Sequence, residues 1–262
     1  SIRRRQRQMC IRDRTNNGPV IGFIDQLGIQ KWLGIPFAEP PINELRWRAP
    51  IKINNWKTLK EVNSFSPPCV QFQSSLTADG LVKPGDIIGS ENCLYLNVYA
   101  PSSSKNKLEN NNELLPVMVW IHGGGNTTGM PSEYNPEIFV KTENIIVVSI
   151  SYRLGFFGWL SHPLIREQVG LNASSNFGLL DQIMAIQWVK NNIQFFGGDA
   201  NNVTIFGESA GGQDVIALYT SPIAKGLFER AISQSGGTSV TNIKDAEKID
   251  RYDDTLKNNY KY

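Results

Sequence analysis

The segment GESAG at residues 207–211 constrains what this chain can fold into more than any other feature. It follows an apolar run rich in β-branched residues at 203–206 and precedes helix-compatible sequence at 212–219. Such an order is typical of a strand, a sharp turn and a helix that present the central serine at the end of a sheet. The flanking glycines fit because the serine adopts a strained backbone conformation where strand and helix leave no room for side chains. We therefore predict Ser209 as a nucleophile.

A second glycine-rich segment, HGGG at residues 122–125, follows the apolar run 117–121. A glycine triplet after a strand leaves backbone N–H groups uncovered and able to converge on one point. Acyl transfer requires such donors, because the attacked carbonyl becomes an oxyanion, and each donor contributes roughly 3–4 kcal/mol of transition-state stabilisation. The amide of Ala210, directly after the serine, would be a further donor. The alternative is a glycine-rich turn that binds nothing.

The chain contains two histidines, His122 and His162, and both precede Ser209. In folds with this elbow the chain order is serine, then acid, then histidine. We therefore expect that the general base is absent from these 262 residues. His122 is interpreted as structural support for the glycine loop and His162 as a loop residue.

Composition excludes several functional classes. The formal charge of +2 is misleading, since residues 1–14 hold six Arg and one Asp. The remainder carries 20 basic and 23 acidic residues, a net charge of −3. This near-neutral body gives no electrostatic reason to expect a nucleic acid partner. No run approaches the roughly 18 apolar residues of a membrane span, and we expect neither a metal nor a cofactor.

Residues 1–15 form a basic arm unlike the sequence that follows. The arm has no aromatic residue and no apolar periodicity, and residues 7–14 resemble peptide translated from sequencing-adapter DNA. We therefore expect residues 1–15 to be non-native and the folded part to begin near Asn16. A basic targeting arm is the alternative.

Residues 16–262 are interpreted as one α/β unit. Apolar and β-branched runs predict a hairpin at 20–24 and 29–33, and further strands at 94–99, 117–121, 145–150, 203–206 and 231–234. Apolar residues at helical spacing predict a helix over 178–191. Near-continuous apolar strands separated by helices indicate a mostly parallel central sheet flanked by helices.

Several motifs together resemble the type-B carboxylesterase and cholinesterase-like family of α/β-hydrolases, over roughly residues 18–240. Besides the two glycine-rich segments they are GIPFA at 34–38, LRW at 45–47, ENCLYLNV at 91–98, YRLG at 152–155, NFGLLDQ at 176–182, FGG at 196–198 and QSG at 234–236. The resemblance implies an α/β-hydrolase fold truncated after its nucleophile half. Residues 16–262 would be the N-terminal portion of a carboxylesterase domain about twice as long, with the acid and histidine in the remainder.

Carried over by motif, Ser209 resembles the acyl-enzyme nucleophile, and Gly124, Gly125 and Ala210 resemble the donors of the oxyanion hole. The resemblance places three further residues in the wall of the active site: Glu208, His122 and Gly123. Two positions depart from the family pattern. Asn92 stands where Asp or Gly is usual, and Asn126 stands where an aromatic residue is usual, which changes the wall of the acyl pocket.

The resemblance also implies a disulfide between Cys69 and Cys93, which bracket a 23-residue loop. Closing such a loop would stabilise the fold by ~3.5 kcal/mol in the chain-entropy model. Because disulfides persist in oxidising compartments, a secreted or secretory-pathway glycoprotein is expected. Glycosylation sequons occur at Asn126, Asn172 and Asn202, and Asn172 is the favoured glycan carrier. A cytoplasmic enzyme with both cysteines reduced is the alternative.

The resemblance thus implies a serine carboxylic-ester hydrolase that acts on a small-molecule ester through an acyl-enzyme on Ser209. Without a histidine after the serine, the chain by itself is expected to be inactive. Two alternatives remain open: a non-catalytic cholinesterase-like binding or adhesion module, and a partner chain that supplies the histidine. A histidine downstream of Tyr262 in the coding sequence would favour the esterase.

Overall fold

The computed structural model describes residues 10–73, 85–104, 114–238 and 240–247, with the side chains of residues 10–12 left undescribed. Most of the described strands join one sheet, and β5 and β6 form a separate two-stranded sheet. The strands are β1 (Cys10–Arg14), β2 (Pro19–Ile24), β3 (Gln30–Pro36), β4 (Lys60–Glu61), β5 (Gln71–Phe72), β6 (Ile87–Ile88), β7 (Tyr95–Ala100), β8 (Leu115–Ile121), β9 (Ile146–Ile150), β10 (Gly198–Glu208) and β11 (Arg230–Gln234).

From β8 onwards, helices alternate with these strands along the chain and pack against the sheet. The α-helices are α1 (Glu137–Glu143), α2 (Gly155–Trp159), α3 (Pro163–Arg166), α4 (Phe177–Asn192), α5 (Ala210–Thr220) and α6 (Ile243–Ala246). Short 3₁₀ turns lie at Asn43–Leu45, Pro131–Glu133, Gly170–Ala173, Ile193–Phe196 and Pro222–Ala224. Within the described ranges no helix is long and apolar enough to cross a membrane.

The strand order of the large sheet is β1-β2-β3-β7-β9-β8-β10-β11, with β4 beside β2. The pairs β1–β2, β2–β3, β3–β7 and β7–β9 are antiparallel. Short turns join the first two of these pairs. The strands β9, β8, β10 and β11 pair parallel, with helices on their crossovers. The predicted α/β class with a central sheet between helices is confirmed, and the parallel half is the part that carries the glycine-rich segments.

Element positions agree closely with the sequence-based predictions. The hairpin is β2 and β3, and the long helix is α4. β10 begins five residues before the expected start, because Gly198 already pairs with Leu115 across a bulge. The sheet also includes β1, whose Arg14 pairs with Pro19, although we expected the folded part to begin near Asn16. This pairing does not address whether residues 1–15 are native, which stays a prediction.

The apolar core lies on both faces of the sheet. The larger cluster packs α4 and α5 against the strands, and includes Trp32, Phe177 and Phe196. A buried ion pair ties α4 to the chain that follows β9: both carboxylate oxygens of Asp181 accept from Arg153, at 2.7 and 2.8 Å. The segment after β9 is therefore held at a fixed position beside the end of β8.

Cys69 and Cys93 form a disulfide in the structure. Two residues beyond Cys69, the side-chain amide of Gln71 donates to the carbonyl of Gly129 at 2.9 Å and accepts from its N–H at 2.8 Å. Part of the loop that the disulfide closes, residues 74–84, lies outside the described residues. The described part of this loop therefore contacts the segment that follows the glycine triplet.

Candidate active site

Ser209 lies in the turn between β10 and α5. Its backbone has φ 55° and ψ −120°, a conformation that a residue with a side chain rarely adopts. The turn is held from both sides, because the N–H of Ser209 donates to the carbonyl of Gln234 and its own carbonyl accepts from Gln213. The side chain is exposed, as a nucleophile requires.

The glycines around Ser209 are required by close backbone approaches. A Cβ at Gly207 would lie 2.5 Å from the carbonyl oxygen of Gly211, and one at Gly211 would lie 2.1 Å from that of Ile121. A Cβ at Gly123 would lie 3.2 Å from the Cβ of Ser209. The elbow and the glycine triplet are therefore in direct contact.

The triplet forms a tight loop at the end of β8. The carbonyl of Gly124 accepts from the N–H groups of Thr127 and Thr128, at 3.1 and 3.0 Å. Gly124 and Gly125 have φ of 96° and 63°, in the left-handed region that favours glycine. Among the hydrogen bonds of the described residues, none uses the N–H groups of Gly124, Gly125 or Ala210. These three donors are available to a ligand.

Sheet topology brings the two segments together. β8 and β10 are parallel neighbours, and Ile121 pairs with Gly207 at their carboxyl ends. The loop from His122 and the elbow at Ser209 therefore leave the same edge of the sheet side by side. This edge is where open α/β sheets bind their ligands.

His122 lies behind the loop and is 3% exposed. Its Nδ1 is 2.9 Å from the carbonyl oxygen of Gly123, and its ring stacks on Tyr152 at 4.4 Å. Burial lowers the pKa of His122 to about 4, only partly opposed by the hydrogen bond to Gly123. The ring is therefore neutral at neutral pH and braces the loop.

His162 occupies an exposed position in another element. It precedes α3, where its Nδ1 accepts from the N–H of Leu164 at 3.2 Å. Glu208, beside the nucleophile, is exposed, and its carboxylate would lie 3.2 Å from a Cβ at Gly123. In the described ranges no group of three or more His, Cys, Asp or Glu residues could hold a metal ion.

A buried polar network beneath the loop was not predicted. The Asn126 side chain donates to Oδ1 of Asp214 at 3.1 Å, and Gln182 donates to Oδ2 of Asp214 at 2.6 Å. The Tyr152 hydroxyl lies 3.1 Å from Oδ1 of Asn126 and 2.7 Å from the carbonyl oxygen of His122. The only sequence signal was the polar Asn126 at a position where the resembling family is aromatic.

Burial raises the pKa of Asp214 to about 6, although the hydrogen bonds from Gln182 and Asn126 lower it. Because this folded-state pKa exceeds the unfolded value, the stability that protonation of Asp214 contributes at low pH is lost as the pH rises from about 4 to about 6. His122 acts in the opposite sense. Its contribution is present above about pH 6.5 and is lost as the pH falls towards 4, and each shift corresponds to about 3 kcal/mol.

We therefore expect these two effects to oppose each other, and Asp214→Asn to remove only one. The unfolding free energy of the variant minus that of the wild type should increase by about 3 kcal/mol from about pH 4 to about pH 7. Urea unfolding of this chain across that pH range measures the difference. Asp199→Asn is the matched control, since Asp199 is half-buried and accepts from the N–H of Asn201. A difference for Asp214→Asn that does not vary with pH would contradict the assignment.

Known proteins and one family profile are similar to this chain over most of its length. The profile of the carboxylesterase family matches residues 12–257. The chain is 41% identical over 232 residues to a medium-chain fatty acyl-CoA hydrolase precursor of Anas platyrhynchos, covering 85% of this chain and 40% of that protein. It is 42% identical over 227 residues to para-nitrobenzyl esterase of Bacillus subtilis strain 168, covering 86% of this chain and 43% of that protein.

Solved structures of esterases are similar to this chain in fold. A PNB esterase structure superposes with a TM-score of 0.79 at 39% identity, covering 90% of this chain and 46% of that one. A carboxylesterase of Geobacillus stearothermophilus superposes with a TM-score of 0.77 at 36% identity, covering 90% of this chain and 46% of that one. The chain thus spans less than half the length of these relatives.

Proposed function

Because this chain belongs to the carboxylesterase family, we propose that it carries the nucleophile and oxyanion hole of a serine carboxylic-ester hydrolase. One observation carries the proposal. An exposed serine with φ 55° lies against a glycine loop, and the N–H groups of Gly124, Gly125 and Ala210 have no other partner in the described part of the chain. The substrate class is a small-molecule ester.

In the proposed reaction the hydroxyl oxygen of Ser209 attacks the ester carbonyl carbon while a base takes its proton. The carbonyl oxygen becomes an oxyanion that accepts from the three N–H groups. Collapse of this intermediate breaks the bond to the alcohol, which leaves with the proton that the base returns. The acyl-enzyme on Ser209 is then hydrolysed by water in the same two steps, giving the carboxylic acid and free serine.

The base in this proposal is a histidine outside the 262 residues. His122 is unsuited to the role, since it is buried, stacked on Tyr152 and held to Gly123. His162 accepts a backbone hydrogen bond at the start of α3. By complete protein we mean a polypeptide in which this chain is joined to that histidine and its acid. The 262 residues by themselves are proposed to be inactive.

We expect a fluorophosphonate probe to form a covalent adduct on Ser209 in the complete protein, because the probe mimics the ester and its oxygen fits the oxyanion hole. Peptide mapping by mass spectrometry locates the adduct. Labelling that persists in Ser209→Ala would contradict the assignment. A complete protein that folds but shows no adduct would instead favour a non-catalytic binding module.

We further propose that the protein is a secreted or secretory-pathway glycoprotein. The Cys69–Cys93 disulfide supports this location, because structural disulfides persist in oxidising compartments. Asn126 is a poor glycan site, since its side-chain amide donates to Asp214. The amide oxygen of Asn172, the favoured site, accepts from Ala49 at 2.8 Å.

Non-reducing peptide mapping of protein from a secretory host should recover Cys69 and Cys93 in one linked species. Replacing both cysteines by serine should lower the unfolding free energy by ~3.5 kcal/mol, because the unfolded chain regains the entropy of the loop between them. Both cysteines recovered as free thiols would move the proposed location to the cytoplasm.

A further inference from the structure

The buried network under the glycine loop joins two elements that carry different parts of the proposed oxyanion hole. Asn126 directly follows Gly125 in the loop, whereas Asp214 lies one helical turn after Ala210 on α5. Their side chains meet at 3.1 Å across 88 residues of sequence. This hydrogen bond therefore connects the segment bearing two of the N–H donors to the helix bearing the third.

Both residues are fixed by further partners. Asp214 is 3% exposed, and each of its carboxylate oxygens accepts one amide hydrogen bond, from Asn126 and from Gln182 on α4. The backbone carbonyl of Asn126 accepts from the N–H of Gly155 at 2.7 Å, and its side-chain oxygen lies 3.1 Å from the Tyr152 hydroxyl. Asn126 therefore cannot move without breaking contacts on several sides.

We propose that Asn126 and Asp214 are positioning residues that hold the glycine loop and the start of α5 in register, so that the three N–H groups converge on one oxyanion. This inference rests on the proposed function, since it assigns these residues a role in that site. Neither side chain is proposed to contact the substrate. They act through the backbone of Gly125 and Ala210.

The electrostatic surroundings make this link sensitive to substitution. Burial raises the pKa of Asp214 to about 6, so the carboxylate is ionised at neutral pH with two amide donors as its partners. The Tyr152 hydroxyl lies beside Asn126, and burial together with the charges of Asp214 and Glu133 raises the pKa of that hydroxyl. A second negative charge placed in this network would have no compensating partner among the contacts of Asp214.

Exchanging the two side chains tests the proposal in the complete protein. Asn126→Asp alone opposes two carboxylates, so we expect kcat for p-nitrophenyl butyrate to fall by about 10²-fold, the scale of one misplaced oxyanion donor, with KM changed by less than about 3-fold. Adding Asp214→Asn restores every hydrogen bond of the network, and only the bond between positions 126 and 214 is reversed in direction. The amide introduced at position 214 would donate to the carboxylate introduced at position 126 and accept from Gln182. The Tyr152 hydroxyl would donate to that same new carboxylate.

We therefore expect the exchanged pair to recover kcat to within about 5-fold of the wild type, a rescue that the coupling of paired residues predicts. Asp214→Asn alone should lower kcat less than Asn126→Asp does, because it adds no charge. The introduced side-chain oxygen can still accept from Asn126, and the introduced NH₂ can donate to the side-chain oxygen of Gln182 once the Gln182 amide rotates. If Asn126→Asp does not fold, Asn126→Ser replaces it, since it removes the amide donor without adding charge. Its kcat should fall by about 10-fold.

The outcomes separate this inference from the proposed function. A folded Asn126→Asp variant with wild-type kcat, or a folded exchanged pair with no recovery, would overturn the positioning role and leave the esterase proposal intact. Complete protein without Ser209-dependent turnover would overturn both. Unfolding midpoints measured on the same variants distinguish a loss of stability, which would raise the unfolded fraction, from a fall in kcat of folded protein.

Discussion

Replacing Ser209 by alanine in the complete protein is expected to lower kcat for p-nitrophenyl butyrate by about 10⁶-fold. The alanine retains the elbow but removes the hydroxyl that attacks the ester in the proposed mechanism. The oxyanion donors and substrate binding remain, so a residual acceleration of ~10³–10⁴ over the uncatalysed reaction should persist. Steady-state kinetics at saturating ester measure this loss, and KM should change little.

Two controls make this result specific. Ser221→Ala changes a serine at the far end of the same helix, where Ser221 follows Thr220, and should leave kcat unchanged. Urea unfolding should show the same stability for Ser209→Ala as for the wild type, or a slightly lower one, because alanine at φ 55° is as strained as serine. A kcat for Ser209→Ala within about 10²-fold of the wild type would contradict the nucleophile assignment.

The strands and helices were predictable where the local pattern was strong. The strand Ile146–Ile150 is apolar except for Ser149, and every one of its residues is buried. Short apolar runs of this kind can be recognised as strands from sequence. The polar start of β10 was missed because Asp199, Asn201 and Asn202 have low strand propensity. Pairing of Gly198 with Leu115 on β8 nevertheless extends the strand, which is a tertiary effect.

The candidate site also has one part that the sequence predicted and one part that it did not. The elbow and the glycine triplet are contiguous motifs, so their glycines and serine could be identified without a structure. The Asn126–Asp214 contact spans 88 residues, and neither residue indicates the other locally. In the sequence Asp214 is one of several acids after Ser209. Its burial and its contacts with Asn126 and Gln182, which distinguish it from the other acids, are features of the tertiary structure.

The 262-residue chain by itself is expected to hydrolyse p-nitrophenyl butyrate no faster than its own Ser209→Ala variant, within about 10-fold. Removing the histidine of a serine triad costs about as much as removing the serine, roughly 10⁶-fold in kcat. Neither histidine present can replace it, since the pKa of His122 is lowered to about 4 by burial and His162 lies at the start of α3. The comparison uses purified chain and variant side by side.

Inactivity of the 262-residue chain supports a missing histidine only if the chain is folded. The folding of this chain has to be tested because one edge of its sheet is unpaired in the described residues. β11 pairs with β10 on one side, and in the described residues nothing pairs with its other side, where Ile232 is 45% exposed. An unpaired strand edge of this kind favours association between chains. The pH-dependent difference between wild type and Asp214→Asn reports the buried network without any catalysis, so it identifies folded chain independently. If the 262-residue chain shows this difference and is therefore folded, Ser209-dependent turnover near the ~10 s⁻¹ typical of enzymes would show that a base within the 262 residues completes the site. The proposal that the histidine lies outside them would then be wrong.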